Sequence, residues 1–304
     1  MEQPDIFDRV VRRLRRDRAA HSFADHGFLI DHMADELAER LGLVKRDFVS
    51  ALILGSHGGR IASRFAAPGR GIVAADAGFA FARAGGGVQC DEDRLPFADG
   101  SFDLVVSIGV LDTVNDLPGA LTLIRRILRP DGLFLGALLG AGSLAWLKSA
   151  LLAADSAASG GVMPRIHPQI DVRAAGDLLS RAGFALPVAD GESLKVGYGD
   201  PLALMRDLRG MAATNILSQR ARTAPGHAWL AEILAAFAAD ADDDGRLRES
   251  FEIVYLTGWS PAPDQPRPAK RGSATRSLTE ALGGRSGADR SRSQRNRSPS
   301  SSQA

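Results

Sequence analysis

The chain has one cysteine, Cys90, among 304 residues. An intrachain disulfide is therefore impossible and a cysteine-rich metal site is excluded. The six histidines show no ligand spacing, so no metal centre is expected. Long apolar runs are missing as well. Nothing approaches the roughly 18 residues a membrane span needs, and the opening lacks an apolar core followed by a small-residue cleavage site. A cytoplasmic protein is expected on these grounds. The arginine-rich start is superficially like a transit peptide, but Asp8 and Asp17 interrupt it and it is read as part of the mature protein. An excess of one charge is also absent, with 37 Lys and Arg against 36 Asp and Glu. That balance hides two basic clusters, Arg9 to Arg18 and Arg267 to Arg297, on either side of an ordinary globular middle.

What is present is a hydrophobic content of 45%, ample for a single core. The chain is organised around Val49-Ser-Ala-Leu-Ile-Leu-Gly-Ser-His-Gly-Gly59, a short apolar strand running into a glycine-rich turn. Arg60-Ile-Ala-Ser-Arg-Phe-Ala66 is expected to continue as a helix. A strand, a glycine turn and a helix N-terminus bring free backbone N–H groups near a ligand, which makes Gly55, Ser56 and Gly59 candidate cofactor-binding residues. For the loop alone, a βα turn that binds nothing stays open.

Ahead of this loop, Phe7, Val10, Val11 and Leu14 fall at i, i+3, i+4 and i+7, one apolar face on an otherwise basic helix. Ile30, Met33, Ala34, Leu37 and Leu41 mark a second helix that ends at Gly42. Residues 1–46 are expected to cap one end of the fold, although a basic amphipathic helix also suits peripheral contact with a membrane surface or a partner. After the loop, strands are expected at Gly71–Asp76, Val88–Cys90, Phe102–Ile108 and Leu133–Leu139. A helix carrying Leu117, Ala120, Leu121, Ile124, Ile127 and Leu128 precedes the last of them. Apolar strands alternating with helices imply an α/β fold, a doubly wound and mostly parallel sheet, whose ligands sit outside the carboxyl ends of the strands. Asp76 then lies about twenty residues beyond the glycine loop, placed to accept from ribose hydroxyls. Asp91 and Glu92 follow the third strand, where a carboxylate can meet an exocyclic amine. Each acid alone could equally be a solvated cap; their joint spacing favours a nucleoside.

The block Leu95-Pro-Phe-Ala-Asp-Gly-Ser-Phe-Asp-Leu-Val-Val-Ser107, followed by Val114-Asn-Asp-Leu-Pro-Gly-Ala-Leu121 and Ile127-Leu-Arg-Pro-Asp-Gly-Leu-Phe134, resembles the class I S-adenosylmethionine-dependent methyltransferases with a type 11 domain. Ile6-Phe-Asp-Arg9, Leu204-Met-Arg-Asp-Leu-Arg-Gly-Met211 and Ile253-Val-Tyr-Leu-Thr-Gly-Trp259 extend the resemblance to the complex I assembly factor group (assembly factor five, arginine hydroxylases). The malonyl-carrier-protein methyltransferase of biotin synthesis is more distantly similar. The resemblance implies one methyltransferase-like domain over residues 47–260 with a seven-stranded, Rossmann-like sheet. Its last two strands, near Glu192–Val196 and Phe251–Gly258, would form an antiparallel pair with the helices of Pro201–Ala239 between them. It also implies S-adenosyl-L-methionine as cofactor.

The same comparison shows departures. Ile53 stands where the family has an acid, and His57 where it has a glycine; Asp112-Thr113 and Gly140–Ser143 differ on the expected substrate side. His167 is the histidine to watch as an acceptor-side base, although a buried or loop histidine without a role is the commoner case; Tyr198 and Arg209 are candidate substrate contacts, with core packing and a solvated helix face equally open, and the catalytic residues are unknown. Residues 261–304 are Pro-, Arg- and Ser-rich and expected to be disordered, with only Arg271–Thr275 able to dock. Three functions compete: a methyltransferase with an unknown acceptor, an arginine hydroxylase or assembly factor acting on a respiratory complex I subunit, and a non-catalytic binding module. Specific nucleic-acid binding would rest on the tails alone.

Overall fold

The computed structural model describes residues 5–159, 161–263 and 265. The region 266–304 lies outside them, and with it the expectations for the disordered tail and for docking by 271–275. In chain order the elements begin with α1 (Arg9–Ala19), α2 (Phe23–His26), α3 (Phe28–Gly42), β1 (Ser50–Leu54), β2 (Gly71–Asp76), α4 (Phe79–Ala84) and β3 (Val88–Gln89). They continue with β4 (Phe102–Ile108), α5 (Leu117–Ile127), β5 (Leu128–Leu139), α6 (Ala145–Ser159), α7 (Val172–Arg181), β6 (Ala185–Tyr198), α8 (Pro201–Gly210), α9 (His227–Asp240) and β7 (Leu247–Trp259).

One seven-stranded sheet holds the order β3-β2-β1-β4-β5-β7-β6. The first five strands are parallel, and β7 pairs antiparallel with both β5 and β6. Every residue of β4 is buried, as a central parallel strand with two covered faces requires. Alternation along the strands divides the core. Ala51, Ile53, Leu104 and Val106 pack with α3, α6, α8 and α9 on one face, while Leu52, Leu54 and Val105 pack with α5 and α7 on the other. Asp116, Asp171 and Asp200 cap α5, α7 and α8, each accepting from the backbone N–H three residues on. The order of strands reverses between β1 and β4, with β2 and β3 added on one side and β5 on the other, so the carboxyl ends of β1, β2 and β4 open a crevice at the switch point.

Two expectations are corrected. The segment after the glycine loop is not an α-helix; it forms 3-10 turns at His57–Gly59 and Ala62–Phe65. Gly58 and Gly59 have positive φ and Pro68 follows closely, leaving too few residues for a longer helix. The apolar face read on α1 is also largely turned outward, with Val10 74% and Leu14 45% exposed, while Arg12 and Arg16 are buried. Phe7, just ahead of α1, is buried against Ile216 and Leu217. α3 follows its sequence pattern, burying Ile30, Met33, Ala34, Leu37 and Leu41.

Candidate functional site: a carboxylate edge closed by arginines

Arg9, Arg12, Arg13 and Arg16 also recur at i, i+3, i+4 and i+7, so one face of α1 is a row of guanidinium groups. That face lies over the carboxyl edge of the sheet, where Asp76 ends β2 and Asp91 and Glu92 follow β3. All three acids are buried. Arg16 donates from Nε and Nη2 to the two oxygens of Asp76, each at 2.7 Å. The backbone N–H groups of Gly78 and His57 donate to the same carboxylate at 2.8 and 3.3 Å. Arg13 bonds Asp91 at 2.5 Å, and Arg9 grips Asp93 through two contacts of 2.6 Å. Arg12 Nη1 lies 2.8 Å from Glu92 Oε2, an ion pair whose geometry leaves both Glu92 oxygens without a hydrogen bond among the described residues. A buried carboxylate needs a counter-charge, and this need turns the basic side of α1 inward against its hydrophobic pattern. Burial pushes the Asp76 carboxyl up, but Arg16 and its hydrogen bonds outweigh this and hold it below the usual carboxylate range.

The glycine loop joins this network. Gly55 has φ +71°, and a Cβ there would lie 2.6 Å from the carbonyl oxygen of Ile108 and 2.7 Å from Val110. The room left by its missing side chain is thus taken by the end of β4. His57 has φ +45° and is buried, stacked on Phe23 with centroids 4.8 Å apart. Burial first, and the neighbouring Arg16 second, push its imidazole down to about 4. It is therefore neutral at pH 7. The network assigns the hydrogen to Nε2, which donates to the Ile108 carbonyl at 3.2 Å, leaving Nδ1 facing Arg16 at 3.5 Å. Ser56 Oγ is buried with no hydrogen-bond partner among the described residues. Ile53 is wholly buried among apolar side chains of the core.

Beside this edge, past the ends of β4 and β5, lies a cavity of about 780 Å³. Asp112, Thr113, His167 and Arg209 line it, together with Arg12, Arg15, Arg16 and Arg18 of α1. Asp112 is the residue that sequence reasoning undervalued: burial pushes its carboxyl up to about 6, and its Oδ1 has no hydrogen-bond partner among the described residues. Its position after β4 was the available signal. His167 does face the cavity, but its Nε2 accepts from the backbone N–H of Ile216 at 3.1 Å. Burial and then Arg15 push it down to about 4, so it serves as a structural acceptor. Of the two alternatives for Tyr198 the structure has the packed one: it is buried in the core cluster and is not among the residues lining the cavity. Gly140–Ser143 do not line the cavity either: they bond to β7 and to residues 169–170, leaving Leu139 and Leu144 at the wall. Among the described residues, no group of acids, histidines and cysteines could hold a metal ion.

The chain matches a family model described as a methyltransferase domain over residues 52–136. It is 32% identical over 286 residues to the mitochondrial protein named arginine-hydroxylase NDUFAF5 of Danio rerio, covering 91% of this chain and 89% of that one. It is also 32% identical over 270 residues to the malonyl-[acyl-carrier protein] O-methyltransferase of Xylella fastidiosa (strain M23), covering 84% and 89%. Among solved structures it is similar in fold to the YcgJ protein of Bacillus subtilis, with a TM-score of 0.52 at 14% identity, over 76% of this chain and 99% of that one.

Proposed function

We propose, because this chain belongs to the NDUFAF5 protein family and has the class I methyltransferase fold, that it is an S-adenosylmethionine-dependent methyltransferase-type enzyme. Its acceptor would be a protein or small molecule. The observation that carries this reading is the convergence of Asp76, Asp91 and Glu92 at the switch point, beside Ser56 Oγ and Glu92 Oε1, which have no hydrogen-bond partner among the described residues. This donor set suits a nucleoside. Asp76 would accept from the ribose hydroxyls, Asp91 and Glu92 from the adenine amine, and Gly55, Ser56 and Gly59 would border the remainder. When bound, the cofactor supplies a methyl group already activated on a sulfonium, so alignment of the acceptor is the main task left to the protein. No residue is assigned a proton-transfer role.

The chain's own arginines stand in the way. Both oxygens of Asp76 are held by Arg16, so a ribose can reach them only after that guanidinium withdraws. Affinity is then reduced by the fraction of molecules in which α1 is displaced. Calorimetric titration with S-adenosylmethionine tests this reading: the wild type should bind weakly and Asp76→Asn should not bind. Equal affinity in the two proteins would remove Asp76 from the site.

A second reading, arginine hydroxylation of a partner subunit such as one of respiratory complex I, is favoured by the extent of similarity to proteins of that name, 91% of this chain. Mass spectrometry of co-purifying proteins separates the two, since one adds a methyl group and the other an oxygen. We also propose a cytoplasmic location, to be checked by fractionation; no helix among the described residues is long and apolar enough to cross a membrane.

A further inference from the structure

Four arginines of α1 are matched to acids, but Arg15 and Arg18 are not. They sit on another side of the helix, at the cavity, where Arg209 of α8 joins them. Among the described residues these three form no ion pair with any acid. The other cavity arginines are engaged: Arg12 with Glu92, Arg16 with Asp76 and Arg165 with Asp155. Among the described residues Asp112 is the only acid in the lining. Burial, and after it the neighbouring charges of Arg220, Arg18 and Arg209, push the Arg15 guanidinium below its ordinary range. Arg220 itself is paired with Asp8. The apolar part of the lining includes Ile30, Met33, Leu144, Leu147 and Trp229, which belong to one core cluster.

Like charges gathered at one end of an apolar hollow raise the local potential and attract an anion. The volume lies within the range of small-molecule sites, roughly 300–1,000 Å³. We infer that this cavity binds an anionic amphiphile, with its oxyanion head against Arg15, Arg18 and Arg209 and its apolar body along the wall carrying Met33, Leu147 and Trp229. Arginine suits the head because its planar fork bonds carboxylate or phosphate oxygens in pairs. The assignment of this cavity as the acceptor side rests on the methyltransferase-type reading. Its binding chemistry does not, and can be measured without cofactor.

The test is calorimetric titration of the full chain, without S-adenosylmethionine, using decanoate, decyl phosphate and decyltrimethylammonium below their micellar concentrations. At least one anion should bind at least tenfold tighter than the cation, and the tighter of the two anions identifies the head as carboxylate or phosphate. Arg15→Ala combined with Arg209→Ala should weaken that anion at least tenfold. The exposed Arg209→Glu alone should weaken it too, with an unchanged circular dichroism spectrum showing that the fold persists. Equal binding of the cation, failure of both anions to bind, or arginine variants that bind like the wild type would overturn the inference and leave the cofactor reading standing.

Discussion

Replacing Arg16 with methionine keeps most of the apolar stem but deletes the charge that faces Asp76. Arg16 and Asp76 are 4% and 1% exposed and share two contacts of 2.7 Å, so loss of the guanidinium leaves a buried carboxylate without its counter-charge. Breaking a buried pair by removing one partner costs about 3–5 kcal/mol. The lower end applies here, because Asp76 keeps the N–H groups of Gly78 and His57. The loss also depends on pH, with a fixed sign. In the wild type Asp76 is held below its ordinary range, so the pair's contribution is present above the unfolded carboxylate value of 3.8 and fades as pH falls through the folded one. In Arg16→Met burial is opposed only by the remaining N–H donors of Gly78 and His57, and the folded Asp76 value rises. The deficit should then be largest at pH 7 and shrink on acidification as Asp76 takes up a proton. Urea unfolding at pH 7 and pH 5 measures both effects. A deficit below about 1 kcal/mol at pH 7, within the range of surface ion pairs, would refute the claim that α1 is anchored by this charge. Because the same change frees the oxygens of Asp76, Arg16→Met should also bind S-adenosylmethionine more tightly than wild type; unchanged or weaker binding in a folded variant would show that α1 does not obstruct the site.

His57, pushed from 6.5 to about 4, gives stability that is present above pH 6.5 and lost as pH falls toward 4. The loss is on the order of 3 kcal/mol at about 1.4 kcal/mol per unit. His57→Asn, which tolerates the positive φ, should flatten that part of the stability-versus-pH curve, and an unaltered curve would show that another group titrates there. Asp112 is shifted the other way, to about 6, so it favours the fold at low pH and costs stability as pH rises through 6. Asp112→Asn should accordingly raise the melting temperature at pH 7 and not at pH 4; a decrease at pH 7 would mean that the carboxylate has a charged partner. Gly55→Ala combines positive φ with a Cβ 2.6 Å from the Ile108 carbonyl oxygen. It should lose at least about 1–3 kcal/mol, the cost of a strained backbone position, and a neutral outcome in denaturant would contradict the close approach of the loop to β4.

The sequence by itself determined the sheet. Apolar runs such as Phe102–Ile108 can be satisfied only with both faces covered, and Asp116-Leu-Pro118 carries its own helix start, so β4 and α5 stand where local pattern placed them. The acids Asp76, Asp91 and Glu92 were legible for the same reason, since their positions follow from where β2 and β3 end. Tertiary structure alone decided what those acids touch. The first helix and the residues leading into it carry two interleaved patterns of identical period, Phe7-Val10-Val11-Leu14 and Arg9-Arg12-Arg13-Arg16, and periodicity cannot rank them. Apolar burial on the scale of one or two side chains was outweighed by the need of buried carboxylates for counter-charge, a need that exists only once β2 and β3 bring the acids to one edge. The cavity arginines were likewise invisible as a group. Arg15 and Arg18 meet Arg209 across almost two hundred residues of chain, and only the packing of α8 beside α1 brings them to the same hollow.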